Sequence, residues 1–283
     1  MRTSSALALH AAIVALSCAT FPATPPSPAA PASGRAELLA LVERVRRADY
    51  QGDRAALARL HGALASTPAG AGDLSRLRYW QAFALWRRAI NGFNEKPWPA
   101  DLDADLRTAL AEMEESSQAD PAFADAKVGT ISCLQLLAYL HGKDRDQVQA
   151  LVQRFVPLMK ETQALAPDNP RLLWVLGASQ WWTPPGATPE VVRAHQMRGF
   201  ETYVRGLEAA RARRPAPADT LDPTWGEPEL LMNLAWSYLN RQEPDLAQAE
   251  SHARQALGLV PDWHYVRDIL VPQIEAARAR AER

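Results

Sequence analysis

Histidine spacing in this chain predicts neither a metal site nor a catalytic motif. After the first 20 residues no two histidines lie three or four positions apart, so the sequence holds neither a helical pair of zinc ligands nor an HExxH motif. No GxSxG turn, phosphate-binding glycine loop, dinucleotide fingerprint or CxxC pair occurs either. We therefore expect no metal and no cofactor. The five histidines are His61, His141, His195, His252 and His264.

The remaining reactive side chains also predict a protein that is not an enzyme. The run EMEE at 112–115 is expected on an open helix face, which has no means of separating the pKa values of an acid and base pair. Cys133 lies among apolar residues in GTISCLQLLAYL, which predicts a buried, unreactive thiol. One enzymatic alternative stays open, a helical glycan-active enzyme in which His141 or His195 meets a carboxylate or an arginine in a cleft.

Tryptophan is the other residue type in this chain that could carry a function, by stacking against a ligand. The stretch PDNPRLLWVLGASQWWTPP, residues 167–185, predicts a helix that Asn169 caps, that Pro170 opens and that ends before Thr-Pro-Pro. Adjacent helical side chains point about 100° apart. We therefore expect one of Trp181 and Trp182 to be buried and the other to be partly exposed.

Two interpretations of the tryptophans stay open. In the first they pack between helices, where each buries about 150 to 250 Å²; Trp80, Trp86 and Trp236 suit this role. In the second, one of the tryptophans at 174–182, with Arg171 nearby, lines a concave groove that holds a peptide or a sugar. Tryptophans in predicted loops are the better candidates for an exposed contact. The candidate binding residues are Arg171, Trp174, Trp181 and Trp182, with Trp225 and Trp98 in loops.

A repeat organises the elements that would position these side chains. Five predicted helical segments each close on a proline, at intervals of roughly 46 to 53 residues. They cover residues 54–68, 107–121, 152–167, 200–215 and 246–261. Positions twelve, eight and five before each proline share one helical face, and the last of them is always small. A second predicted helix precedes each of these, at about 35–48, 73–92, 122–141, 169–182 and 226–241. The prolines are Pro68, Pro121, Pro167, Pro215 and Pro261.

This pattern resembles the tetratricopeptide repeat. That family's unit carries a small residue, a large apolar residue, a second small residue and a closing proline at these offsets, and its first helix carries a Leu-Gly step, matched here by Leu176-Gly177. The resemblance covers residues 35–283 and implies an all-α fold, an α-solenoid of about five helix hairpins. The segment 264–281 is expected to be the C-terminal capping helix that a solenoid needs. The Trp225-Gly226 step and the closing segment ALGLVPDW resemble the corresponding segments of exported bacterial repeat proteins that have no assigned activity.

The intervals depart from the family, whose unit has about 34 residues. We expect the extra residues to lie in insertions between helices, so that the hairpins are decorated. The four insertions are FNEKPWPADLD, HGKDRD, TPPGATPE and PAPADTLDPTWGEP.

The N-terminal residues predict export. A single charged residue, Arg2, precedes the apolar run ALALHAAIVAL, which is the layout of a signal peptide over residues 1–19 and is too short to span a bilayer. Cleavage after Ala19 and lipidation of Cys18 both stay open. A Pro- and Ala-rich linker is expected over residues 20–34.

Charge limits the class of partner. The chain has 31 Lys and Arg against 32 Asp and Glu, a formal net charge of −1, whereas nucleic-acid binding requires a basic surface. The sequence therefore predicts an exported scaffold, periplasmic or envelope-associated, that binds a protein or peptide partner. It would touch the membrane only through an N-terminal lipid. The alternative is a periplasmic accessory protein that binds a small molecule.

Overall fold

The fold is all-α in the part of the chain that the structure describes. A computed structural model describes residues 32–183, 186–213, 217 and 219–282, and it holds eleven α-helices and no strand within those residues. The helices are α1 (Ala32–Tyr50), α2 (Arg54–Ala65), α3 (Leu74–Gly92), α4 (Leu102–Ala119), α5 (Ala124–Leu140), α6 (Arg145–Leu165), α7 (Pro170–Trp181), α8 (Pro189–Ala212), α9 (Glu227–Asn240), α10 (Leu246–Leu259) and α11 (Val271–Ala281).

The helices pack in neighbouring pairs along the chain. Each even-numbered helix from α2 to α10 packs against an adjacent odd-numbered helix, and each odd-numbered helix from α1 to α7 also contacts the next odd-numbered one. The predicted first helices correspond to α1, α3, α5, α7 and α9. A π-helical turn, Tyr265–Leu270, leads into α11, so the closing helix predicted over 264–281 is confirmed.

The prolines of the repeat lie at equivalent places. Pro121, Pro167 and Pro261 each follow the last residue of their helix by two positions, and Pro68 follows α2 by three. The residues eight positions before each proline are all buried: Leu60, Met113, Met159, Leu207 and Ala253.

The first hairpin departs from this register. Ala63, five positions before Pro68, is exposed, whereas Leu64 is fully buried. On α2 the buried residue nearest Pro68 is therefore Leu64 in place of Ala63, whereas Leu60 keeps the common register.

The extra length of each unit is not confined to insertions. The segments predicted as second helices began at residues 107, 152 and 200, whereas α4, α6 and α8 begin at Leu102, Arg145 and Pro189. Helix N-caps explain two of these early starts, because the side chains of Asp144 and Thr188 accept hydrogen bonds from the backbone N–H of Gln147 and Val191.

The longest connection folds back onto the helices. Leu221 and Trp225, between α8 and α9, are buried against α3. The indole Nε1 of Trp80 donates to the Leu221 carbonyl oxygen at 2.7 Å, and the indole Nε1 of Trp225 donates to the Tyr79 hydroxyl at 2.9 Å. The connection thus becomes part of the core.

Some sequence predictions lie outside the described residues: the signal peptide over 1–19, Cys18, most of the linker, Pro184, Pro185 and Pro215. Helix α1 begins at Ala32, three residues ahead of the predicted domain start at 35. Among the described helices, none has both the length and the apolar character needed to span a bilayer.

Candidate functional site: an aromatic pocket

A cavity of about 380 Å³ opens where α3, α7, α9 and the segment after α10 meet. We call it the aromatic pocket. Its volume falls in the range of about 300 to 1,000 Å³ that is typical of ligand sites. The non-aromatic lining residues are Arg87, Ile90, Asn91, Asn94, Ala178, Met232 and Asn233. The aromatic ones are Phe93, Trp174, Trp181, Trp182, Tyr203, Trp236, Trp263 and Tyr265.

Helical spacing on α7 builds one wall of the aromatic pocket. Trp174, Ala178 and Trp181 are four and three residues apart and therefore lie on one face. Ala178 is exposed, so space remains open between the two indoles. Trp236 of α9 faces Trp181 edge-on, with ring centroids 5.4 Å apart.

Trp174 connects the core of the protein to the pocket. It is partly buried and packs against all three hydrophobic clusters of the protein, with its ring 5.7 Å from Trp225 and 6.2 Å from Trp86. Its indole N–H is buried and has no hydrogen-bond partner. The same side chain therefore packs between helices and lines the pocket, whereas its binding of a peptide or a sugar stays a prediction.

Arg87 is the charged residue of the pocket wall. It is 4% exposed, and its Nε donates to the Asp49 carboxylate at 2.8 Å, whereas its Nη1 is buried without a partner. Burial opposes its charge, but Asp49 and Glu229 outweigh that effect and raise the pKa of Arg87. Among the described lining residues, Arg87 Nη1 and Trp174 Nε1 are the two buried side-chain polar atoms that lack a partner, and both are donors.

A buried carboxylate lies behind Arg87. Glu229, at the start of α9, accepts from the Tyr50 hydroxyl and from the Gly226 backbone N–H, both at 2.8 Å. Burial raises the pKa of Glu229, although Arg87 acts in the opposite direction. Burial and the Glu229 charge together raise the pKa of Tyr50 well above its usual value. This network fixes the end of α1 against α9.

Arg171 and Trp225 do not line the aromatic pocket. Arg171 is 3% exposed, donates to Asp125 through Nε and Nη2, and donates through Nη1 to the Trp225 carbonyl oxygen at 2.8 Å. Trp225 is 3% exposed, so the expectation that this loop tryptophan offers an exposed contact is wrong. Both residues border a second, polar cavity of about 520 Å³ beside α5.

Trp181 and Trp182 differ in exposure as predicted, but neither of them is buried. Trp181 is partly buried, whereas Trp182 is 63% exposed at the rim of the aromatic pocket. Trp181 also lines a third cavity of about 280 Å³, which we call the side pocket and which Met197 of α8 and Arg241 after α9 border. Trp181 therefore lines both pockets.

Trp98 is exposed, as its loop position predicted. It is 42% exposed and packs edge-on against Phe93, with Tyr139 completing a cluster of three rings. Phe93 also lines the aromatic pocket, so this cluster adjoins the pocket.

The carboxylates of the EMEE run are not all on an open face. Glu112 is buried, accepts from the Gln81 amide and is 2.9 Å from His61 Nε2. Glu114 and Glu115 pair with arginines near the surface. The prediction of a uniformly solvated run is therefore wrong for Glu112, which the packing of α4 against α3 and α2 encloses.

Of the two histidines named in the enzymatic alternative, His141 meets a carboxylate and His195 does not. His141 Nε2 bonds the Asp103 carboxylate, and His195 Nδ1 lies 3.1 Å from the Gln180 carbonyl oxygen. Neither histidine lines the aromatic pocket. Cys133 is fully buried, and burial raises the pKa of its thiol. No group of three or more metal-ligating side chains occurs within the described residues.

Sequence reasoning missed Arg87, Trp236, Trp263 and Tyr265 as parts of the pocket. Trp236 lies on one face of α9 with Met232 and Asn233, a signal that periodicity contains. The others come from α3 and the C-terminal segment, and only the fold brings these to α7.

No family model, curated protein or solved structure matches this chain. The resemblance to tetratricopeptide repeats thus rests on the residues quoted above.

Proposed function

We propose that this chain is an exported, non-enzymatic binding protein, a tetratricopeptide-like solenoid that holds an extended peptide segment of a protein partner in the bacterial envelope. Its support is the proline register, the paired helices and a pocket that helices from several units build together. First helices line the inner surface in the family, and α3, α7 and α9 line the aromatic pocket here.

The observation that carries this proposal is that Trp181 lines two cavities. The aromatic pocket lies along α7 and α9, the side pocket is bordered by α8 and the residues after α9, and Trp181 contributes to both. A chain-like ligand can occupy both cavities, whereas a compact ligand fills one. Aromatic walls also supply large contact areas at a low cost in side-chain entropy.

Filling the pocket tests the proposal. Ala178→Leu places a larger side chain between Trp174 and Trp181 at an exposed position, so folding is expected to be unaffected. The matched control is Ala150→Leu at an exposed position of α6 away from the pocket.

The assay is selection of a random dodecapeptide library on the wild-type protein, followed by calorimetry. We expect selected peptides to bind the wild type and Ala150→Leu equally, and Ala178→Leu at least about tenfold more weakly, a difference of about 1.4 kcal/mol. Failure to enrich any peptide, or equal binding to all three proteins, would contradict the proposal.

A small-molecule binding protein is the second candidate, and the volume of the aromatic pocket favours it. A ligand at 100 times its Kd adds about 2.7 kcal/mol of stability. Thermal melting against metabolites and oligosaccharides separates the candidates, because a shift that Ala178→Leu abolishes, without peptide binding, would favour the small molecule.

Export and anchoring are tested separately. Mass spectrometry of the mature protein is expected to show a start at Thr20, or a diacylglycerol on Cys18. An unprocessed N-terminus would refute export through this signal.

A further inference from the structure

We infer that Asn91 determines specificity in the aromatic pocket by accepting a hydrogen bond from a backbone N–H of the bound peptide. This inference rests on the proposed function and names the residue that contacts the peptide backbone. It follows from the bonds that fix the Asn91 amide and from the side of that amide that stays open.

Helix α3 brings Asn91 to the aromatic pocket. Asn91 shares one face of α3 with Arg87 and Asn94, which lie four residues before it and three residues after it. All three residues line the pocket. Asn91 is partly buried there, so the wall can hold one side of its amide while the other side meets the cavity.

Three acceptors fix which atom of the amide faces the protein. One terminal atom of Asn91 lies 3.0 Å from Asp49 Oδ1, 3.2 Å from the Asp49 carbonyl oxygen and 3.0 Å from the Arg87 carbonyl oxygen. Of the two terminal atoms only the nitrogen can donate to oxygens, so this atom is Nδ2. Asp49 is buried and also pairs with the Arg87 guanidinium, so these acceptors are themselves held in place. A rotation of the amide by 180° would place its oxygen against three others.

The opposite atom, Asn91 Oδ1, is an accessible acceptor. It receives no hydrogen bond from the residues that the structure describes, and it is not one of the buried polar atoms that lack a partner. A ligand in the aromatic pocket can therefore reach it. Because this oxygen only accepts, the matching group of the ligand must be a donor.

The other polar groups of the wall do not require a donor. The Asn94 side chain is exposed and makes no hydrogen bond within the described residues, so its amide can turn to offer either atom. The hydroxyls of Tyr203 and Tyr265 can donate as well as accept, and Asn233 lies against the first of them. Asn91 is thus the lining amide whose orientation surrounding bonds fix.

A backbone N–H of an extended peptide supplies a neutral donor of this kind. A backbone N–H that is buried without an acceptor costs free energy, so a peptide in the pocket needs an acceptor on the wall. Neither Asp nor Glu is among the described lining residues, so an ammonium donor would lack a counter-ion there.

The test uses the dodecapeptide that binds most tightly after the library selection, with a series of analogues in which one backbone amide at a time is replaced by an ester. An ester lacks the N–H and adds no bulk. By calorimetry we expect one ester to bind the wild type about tenfold more weakly than the parent peptide, the worth of one hydrogen bond. In Asn91→Leu the parent peptide should bind about tenfold more weakly, and that ester should bind as the parent does. In Asn94→Leu, the matched control on the same helix face, that ester should still bind about tenfold more weakly than the parent.

The outcomes separate the two claims. An ester loss that persists in Asn91→Leu, or that disappears in Asn94→Leu, would overturn this inference and leave peptide binding standing. A series in which no ester weakens binding would do the same. Failure of the selection to enrich any peptide would overturn both claims. If Asn91→Leu does not fold, as circular dichroism would show, NMR of the wild type decides, since a nuclear Overhauser effect between the Asn91 side-chain amide protons and a peptide N–H is expected and its absence would overturn the inference.

Discussion

Replacing Arg171 distinguishes a structural residue from a binding residue. In Arg171→Met the aliphatic part of the side chain is retained and the guanidinium is lost. Asp125 is 8% exposed in the wild-type protein. In the variant it would keep the Asn169 amide, 2.9 Å away, as its remaining side-chain donor. The Trp225 carbonyl oxygen would also lose its bond to Arg171.

The expected cost is large because a buried charge is left unpaired. Breaking a buried ion pair by removing one partner costs about 3 to 5 kcal/mol. For a chain of this size, each kcal/mol lowers the melting temperature by about 2 to 4 °C. We therefore expect Arg171→Met to melt about 6 to 20 °C below the wild type.

The assay is urea unfolding followed by circular dichroism, with a double-mutant cycle. The double variant Arg171→Met/Asp125→Leu removes both charges and should recover most of the lost stability, because replacing a whole buried pair by apolar residues is often near neutral. A loss below about 1 kcal/mol in Arg171→Met, together with lost peptide binding, would refute this structural role and return Arg171 to the binding site.

Three further predictions concern stability and reactivity. Gly177→Ala would place a methyl group in steric overlap with the Tyr203 ring, so we expect urea unfolding to show a loss of about 1 to 3 kcal/mol. Gly62→Ala, with open space around it, should gain about 0.5 to 1 kcal/mol, and equal effects of the two substitutions would contradict the packing argument. Burial raises the pKa of Glu229, so the folded protein binds more protons than the unfolded chain and the contribution of Glu229 to stability should fall as the pH rises above 4.5. The stability of Glu229→Gln relative to the wild type should therefore increase from pH 4 to 8. A stability difference that does not change with pH would count against this argument. Cys133 should resist a thiol reagent until the protein unfolds in urea, and rapid labelling of the native protein would show that this thiol is accessible.

Local signals in the sequence were sufficient for the helices. Asn169 and Pro170 predict the start of α7, and the structure shows the Asn169 side chain accepting from the backbone N–H groups of Arg171 and Leu172. The Leu176-Gly177 step predicts a close approach, and Tyr203 lies against Gly177. The start of α7 depends on neighbours a few residues apart and needs no tertiary information, whereas Tyr203 reaches Gly177 through the packing of α8 against α7.

The exposure of individual side chains could not be predicted from the local sequence pattern. Trp98 and Trp225 both lie in proline-containing connections, yet one is exposed and the other is buried. The difference arises because the connection after α8 returns to α3 and α7, where Tyr79 of α3 and Arg171 of α7 supply hydrogen-bond partners for Trp225. Such partners are 54 and 146 residues away in sequence.

By itself the sequence determined the class of fold and the bounds of α1, α3, α5, α7 and α9 within a few residues, because helical periodicity, caps and prolines act over one or two turns. It did not determine where α4, α6 and α8 begin. Tertiary structure alone decided which side chains share a cavity. Arg87, Trp174, Trp236 and Trp263 come from separate elements, and their meeting depends on how the helix pairs pack against one another. Packing also decided that Arg171 belongs to the core, since a guanidinium is buried only where the fold brings a carboxylate to it.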